Sequence, residues 1–365
     1  MSAITTPIVR PATAARQALN SLARTGIRAL GAHRLYLSVI LAYAATCLAV
    51  GYITGTSQLV TVRFYSSSFV MFISLFLGVL VLGHPFWMMF IVRPKGSITI
   101  AICRDFNSRF LQSDRIAGFL VATALTPLFF SSFSSFKRLI PSLVGYSWDP
   151  AFMQWDRWLH GGKHAWQLWH SALSTPLVTS VINVTYNVWL FVLFFTFIWQ
   201  TASTKNPQLR MQFLMSFLFV WMGLGTVLAM ALASGGPVYY GRLTGLADPY
   251  APLMKYLYAV NENYPVWSLK VQERLWTTFQ TGGTDLGSGI SAMPSLHVAS
   301  SVLFACLGWR TSRAAGIAYT LFAFIIMIGS VHLGWHYAID GYVSAVAVLA
   351  IWWATGWGLR RYSAT

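Results

Sequence analysis

The chain has 365 residues, of which 56% are hydrophobic and 9% charged, with 16 Trp, 16 Tyr and 25 Phe. Soluble domains carry about a quarter charged residues, so this composition excludes a disordered chain, a collagen-like fibre and a disulfide-stapled secreted module, and it points to an integral membrane protein. Lys and Arg number 25 against 9 Asp and Glu, a net +16; without an aromatic-basic recognition module this excess excludes nucleic acid as a partner and is assigned to topology and to anionic lipid at the cytoplasmic face.

Residues 1–34 come first. They are rich in Ala and Arg, and no acid occurs before Asp105. No long apolar run follows the start, so the segment is not read as a secretory signal. It is expected to be a basic helix on the anionic inner leaflet, with a transit peptide as the other reading of the same composition. Eight windows without Asp, Glu, Lys or Arg follow: 35–54, 65–92, 116–136, 171–204, 211–241, 286–309, 314–339 and 341–359. Each can hold the roughly 20 apolar residues that span a hydrocarbon core, and none alternates as a barrel strand would. The 286–309 window is expected to begin as loop, because Gly287, Ser288, Gly289 and Pro294 interrupt helices. The predicted fold is therefore an all-α polytopic bundle of about eight transmembrane helices.

With the N-terminus in the cytoplasm, 16 of the 25 basic residues fall inside, on the shorter loops. They are Arg10, Arg16, Arg24, Arg28 and Arg34; Arg93, Lys95, Arg104, Arg109 and Arg115; Lys205 and Arg210; Arg310 and Arg313; Arg360 and Arg361. This is a positive-inside pattern, and eight spans would return both termini to the cytoplasm. The expected location is a bacterial plasma (inner) membrane. Two outer segments are long. Residues 137–170 carry Trp155, Trp158, Trp166 and Trp169 at helical spacing, which predicts one Trp-rich interfacial helix. Residues 234–293 are rich in Gly, Tyr and Pro and are expected to form a folded lid. Cys47, Cys103 and Cys306 are far apart, which supports neither a disulfide framework nor a zinc knuckle.

The ionisable residues near the last spans carry the chemistry. His332, His336 and Asp340 stand four apart, so on a continuous helix they would share a face; Gly334 leaves His336 and Asp340 as the firmer pair. A carboxylate that accepts a proton from one imidazole nitrogen fixes the tautomer and leaves the other nitrogen as a lone pair, an oriented nucleophile or base. Forty residues earlier, Pro294-Ser295-Leu296-His297 opens the sixth window. A helix start offers N–H groups to an anion, Ser295 adds a hydroxyl, and His297 lies within reach for proton transfer. By the charge-derived topology both blocks lie at the outer face.

Together, Met293-Pro294-Ser295-Leu296-His297 and His336-Tyr337-Ala338-Ile339-Asp340 resemble two motifs of the type 2 phosphatidic acid phosphatase superfamily. The Leu before the His and the His-Tyr-x-x-Asp form are similar to its inositol phosphorylceramide synthase (aureobasidin-resistance) branch; sphingomyelin synthases share the second form. Lys137-Arg138-Leu139-Ile140-Pro141, Trp148-Asp149-Pro150 through Asp156, and Gly235-Gly236-Pro237-Val238-Tyr239-Tyr240 also resemble that branch. The likeness covers about residues 120–360. It implies a basic segment at 1–34, two accessory spans and a loop at 35–115, and a six-helix phosphatase-like core at 116–361.

The resemblance also implies a mechanism. His336 attacks phosphorus to form a phosphohistidine, Asp340 orients it, and His297 protonates the leaving oxygen and then activates the acceptor. No metal or other cofactor is required. The acceptor is water in phosphatases and an alcohol, such as a ceramide hydroxyl, in synthases. The Lys-x6-Arg-Pro string of the phosphatases is missing here, and Gly329 and Ser330 stand where they carry Ser-Arg. The phosphate-binding cation is sought among Lys137, Arg138, Arg242 and Lys255, with Lys137 first and Arg242 next. His332, Ser295 and Tyr239 complete the expected substrate contacts.

The expected activity is thus metal-independent lipid phosphotransfer on membrane lipids at the extracytoplasmic side. The alternative within the superfamily is a lipid phosphate or polyprenyl pyrophosphate phosphatase. Two other readings use the same residues: a zinc enzyme with His332, His336 and Asp340 as ligands, and a proton-coupled lipid transporter with a His/Asp relay.

Overall fold

Helices dominate because the chain offers long charge-free windows whose ends carry cap residues. A computed structural model describes residues 11–283 and 289–362, with side chains from residue 19 onward. The expectations for Arg10, Gly287 and Ser288, and for the Arg16 side chain, lie outside the described residues. The helices are α1 (Pro11–Ile53), α2 (Ser66–Trp87), α3 (Ile98–Phe110), α4 (Ser113–Ala124), α5 (Thr126–Leu143), α6 (Asp149–Leu159), α7 (Ala165–Leu173) and α8 (Pro176–Thr201). They continue as α9 (Pro207–Met222), α10 (Ala229–Ala231), α11 (Tyr240–Thr244), α12 (Ala251–Asn261), α13 (Trp267–Thr281), α14 (Leu296–Thr311), α15 (Arg313–His332) and α16 (Ala338–Tyr362). No strand occurs among the described residues.

Local chemistry sets the starts. Thr175 precedes Pro176 and its hydroxyl accepts from Val178 N at 3.4 Å; Asn206 precedes Pro207 and accepts from Leu209 N at 2.9 Å. Ser312 caps α15 through Ala315 N at 3.2 Å. A short polar cap followed by Pro satisfies one orphan donor and removes another.

Seven stretches among the described residues are long and apolar enough to cross a membrane: Leu19–Ile53, Ser66–Val92, Ser113–Leu143, Pro176–Thr201, Pro207–Ala231, Arg313–His332 and Ala338–Tyr362. They coincide with seven of the eight windows. The remaining window, 286–309, yields α14, whose 16 residues reach only about 24 Å against a hydrocarbon core of about 30 Å. Its place explains the shortness: α14 is the central helix, packed against α8, α9, α15 and α16. α1 lies against α4, α5 and α9, and α2 against α5 and α8.

Two expectations are corrected. Residues 11–34 do not form a separate surface helix, because α1 runs unbroken from Pro11 to Ile53. Its first half docks on the bundle through Thr25, Ala29 and His33, while Arg24, Arg28 and Arg34 stay exposed. The Trp-rich segment is not one helix. Gly161 and Gly162 take φ of 65° and 85°, values that suit glycine, and they separate α6 from α7. Trp155 and Trp158 on α6 are exposed, whereas Trp166 on α7 is buried. The long 234–293 segment does fold, as α11, α12 and α13.

The first two spans share the core of the rest. Tyr43 Oη and Thr226 Oγ1 are 2.7 Å apart, and Phe72 stacks on Phe194 with ring centres at 4.0 Å.

Candidate active site

α15 ends at His332, and α16 starts at Ala338. The five residues between them, 333–337, form a tight loop. Gly334 takes φ +74°, and the Ser330 carbonyl accepts from both Trp335 N and His336 N at 3.0 Å. The expected common helical face therefore does not exist; the loop separates His332 from His336. His336 meets Asp340 across a helix start: Nδ1 lies 3.3 Å from Oδ2, which also accepts from Tyr337 N at 3.1 Å. A carboxylate in the first turn is favoured there by the helix dipole. When Asp340 is ionised it accepts from His336 Nδ1, the tautomer that puts the ring's lone pair on Nε2. Burial pulls the His336 imidazole down to about 3, a hydrogen bond to the Ala292 backbone opposing it and Lys137 adding to it, which favours a neutral ring at pH 7.

His297 projects from the first turn of α14. Its ring stacks on Tyr186 at 4.7 Å and lies against Trp189 at 4.1 Å. The His297 and His336 ring centres are 6.0 Å apart at an interplanar angle of 62°. A reacting phosphorus needs about 3–3.5 Å to its nucleophile, and a leaving oxygen about 3 Å to its acid, so two imidazoles at this spacing can flank one phosphate.

Both rings line a cavity of about 300 Å³. Lys137, Arg274 and Tyr239 line it with the two histidines, as do Phe130, Phe133, Leu193, Phe194 and Trp221. Pro294 and Leu296 are also in the wall, so the start of α14 borders the cavity.

Some of the expected contacts lie elsewhere. Ser295 caps α14, its Oγ accepting from Val298 N at 3.4 Å, and it is fully buried outside the cavity wall. His332 turns to Thr179, with Nε2 at 2.9 Å from the hydroxyl. Arg242 pairs with Glu273 at 3.1 Å and covers the Trp276 ring at 5.2 Å, away from the cavity. Lys255 is exposed and also outside the wall. Arg138 donates to Thr61 Oγ1. Tyr239 is in the wall, but its hydroxyl donates to Gln272 O at 2.8 Å. Among the described residues, no three His, Cys, Asp or Glu side chains converge as a metal-ligand set.

Other residues of the site were not anticipated. Arg274 on α13 supplies a second cation. Two acids on α6, seven residues apart and therefore on one face, hold the loop. Asp149 accepts from Gly235 N, Gly236 N and Tyr337 Oη, each at 2.8 Å. Asp156 accepts from Ile339 N at 3.0 Å. Burial raises both carboxyls; the Gly235 and Gly236 amides oppose it at Asp149, and the Ile339 amide followed by His160 opposes it at Asp156. Gly236 has φ +92°, and a Cβ there would lie 2.5 Å from the Trp335 carbonyl. The signal for Asp149 and Asp156 was present: a chain with nine acids places two of them, two helical turns apart, behind an Asp-Pro start.

A family model described as PAP2 superfamily matches residues 150–354. The chain belongs to the PAP2 superfamily. No curated protein and no solved structure matches it. PAP2 proteins are in general phosphatases or phosphotransferases, and the matched segment contains His297, His336 and Asp340. It begins inside α6, so Phe130, Phe133 and Lys137 reach the cavity from α5, outside the match.

Asp149→Asn should weaken the fold around the loop. An amide offers one acceptor oxygen and turns an NH2 toward a donor, which leaves a buried N–H unpaired at a cost of about 1–3 kcal/mol. Thermal unfolding in detergent micelles should therefore show a lowered midpoint, and Tyr337→Phe, which removes one of the three bonds, a smaller drop. An unchanged midpoint for Asp149→Asn would refute the clamp.

Proposed function

We propose that the protein is an integral membrane lipid phosphotransferase that works through a phosphohistidine. The observation that carries this reading is the pair of imidazoles with ring centres 6.0 Å apart, one of them beside a buried carboxylate, lining one cavity with Lys137, Arg274 and several aromatic side chains. A phospholipid fits such a cavity by its own polarity: headgroup phosphate at Lys137 and Arg274, hydrocarbon among the aromatics.

The steps follow from the donor set. His336 Nε2 attacks phosphorus and a P–N bond forms. The P–O bond to the leaving alcohol breaks, and protonated His297 gives its proton to that oxygen. The arriving phosphate favours the protonated form of His297 by its negative charge. An acceptor hydroxyl then gives its proton to His297, its oxygen attacks phosphorus, and the P–N bond breaks, returning the lone pair to His336. Asp340 holds the Nδ1 proton and stabilises the cationic phosphoimidazole. Lys137, Arg274 and the start of α14 stabilise charge on the non-bridging oxygens. The His-Tyr-x-x-Asp form favours an alcohol as acceptor; with water the same steps describe a lipid phosphatase. The positive-inside distribution of charge supports an extracytoplasmic site, which we read as one in a bacterial inner membrane.

Three outcomes test the proposal. His336→Ala should abolish both turnover and acid-labile labelling of the protein by a phosphate-labelled lipid, and labelling that persists would remove the nucleophile assignment. His297→Ala should slow donors with poor leaving groups at least a hundredfold more than donors with good ones; equal losses would exclude an acid role. Sidedness is read on Cys103, exposed on α3. A membrane-impermeant maleimide should label Cys103 only after cells are permeabilised, with Cys103→Ser as the control. Labelling of intact cells would put the catalytic loop in the cytoplasm.

A further inference from the structure

A proton on His297 has to be kept inside a bundle of helices. Desolvation disfavours an imidazolium, and a neighbouring cation disfavours it further. The charged and titratable groups around the ring supply no remedy. α5 and α13 bring Lys137 and Arg274 to the shared cavity, and the 333–337 loop brings His336. Tyr65 and Tyr239 line the same cavity. α9 adds Trp221, which does not titrate, and α15 adds nothing to the wall. Asp340, at the start of α16, is turned to His336 and lies outside the wall. No Asp or Glu among the described residues lines the cavity.

α8 provides π surface instead. The Tyr186 ring lies 4.7 Å from the His297 ring, centre to centre, at an interplanar angle of 23°. The Trp189 ring is closer, at 4.1 Å and 42°. Both fall within the ~6 Å over which an aromatic face attracts a cation. Residues three apart share a helix face, so one element presents both rings. The pair is braced as well. The Trp189 indole donates to Ser300 Oγ at 3.2 Å, and Ser300 stands on α14 three residues after His297, which holds indole and imidazole in register. Trp335, which precedes His336, lies parallel to Tyr186 with ring centres 6.4 Å apart at 12°, so the stack reaches the 333–337 loop.

We propose that Tyr186 and Trp189 are positioning residues that favour the imidazolium of His297. Their ring faces stabilise the proton that His297 gives to the leaving oxygen and takes back from the acceptor hydroxyl. An aromatic quadrupole attracts the cationic ring more than the neutral one, so removing a face lowers the share of His297 that carries a proton at a given pH. Trp189 weighs more than Tyr186, because an indole has the stronger face and here stands nearer. The inference rests on reading His297 as the acid of the phosphohistidine route.

The protonation of His297 can be followed without turnover. Full-length protein carrying ring-labelled histidine is titrated in micelles by nuclear magnetic resonance, and the His297 signal is assigned by its loss in His297→Gln. Trp189→Leu should lower the titration midpoint of His297 by about 0.5–1 pH unit. Trp189→Phe, which keeps a ring face, should lower it less than half as far. Tyr186→Leu should move it in the same direction and serves as the test where Trp189→Leu does not fold. A midpoint that the leucine variants leave in place overturns the inference. So does an equal fall in Trp189→Leu and Trp189→Phe, which assigns the effect to lost packing, and so does a wild-type ring that stays neutral down to about pH 5. The phosphohistidine reading is judged separately, by labelling of the wild-type chain.

Discussion

A buried carboxylate needs donors, and Asp149, Asp156 and Asp340 draw theirs from one short stretch of chain, with Asp340 satisfied through Oδ2 while its Oδ1 is buried without a partner among the described residues. Between them they bind Tyr337 by its amide and its hydroxyl, Ile339 by its amide, and the two glycine amides that press against Trp335. None of the three has a Lys or Arg as ion-pair partner among the described residues. Their charge is met by fixed dipoles, and fixed dipoles have positions. The loop at 333–337 is thus over-determined from α6, from the 234–237 turn and from the start of α16. A histidine needs such a setting to aim one nitrogen at a phosphorus atom.

The same constraint joins distant parts of the sequence. Gly236 lets its backbone approach the Trp335 carbonyl, and Val238 N donates to Gly334 O at 2.9 Å. Gln272 on α13 donates to Leu333 O at 2.9 Å while its own carbonyl holds Tyr239. Helices α11–α13 are therefore tied to the 333–337 loop by its backbone, and α13 brings Arg274 into the cavity wall.

Much was legible because it was local. Seven of the eight charge-free windows became membrane-length helices, since backbone groups in lipid can be satisfied only within a helix. The His-Tyr-x-x-Asp and Pro-Ser-x-His blocks were visible as polar residues in an apolar chain, and the structure sets their rings against each other. Inferences that assumed an unbroken helix failed where glycine intervened: Gly334 parted His332 from His336, and Gly161 with Gly162 divided the Trp-rich segment. Ser295 is a cap because the hydroxyl before a helix is closest to the amide three residues on. Arg274 left no trace in the sequence, since nothing local distinguishes it from other outer cations.

By itself the amino-acid sequence showed a bundle of membrane-length helices and singled out two histidines and an acid, His297, His336 and Asp340, as a candidate site. Those properties depend on windows of at most some twenty residues, where hydrophobicity and capping act alone. Only tertiary structure decided which cations share a cavity with the imidazoles, which serine is a cap, and which aromatic residues wall that cavity. These depend on where α5, α8, α9, α13 and α14 meet. Close packing of helices far apart in sequence sets that meeting point, and no single segment encodes it.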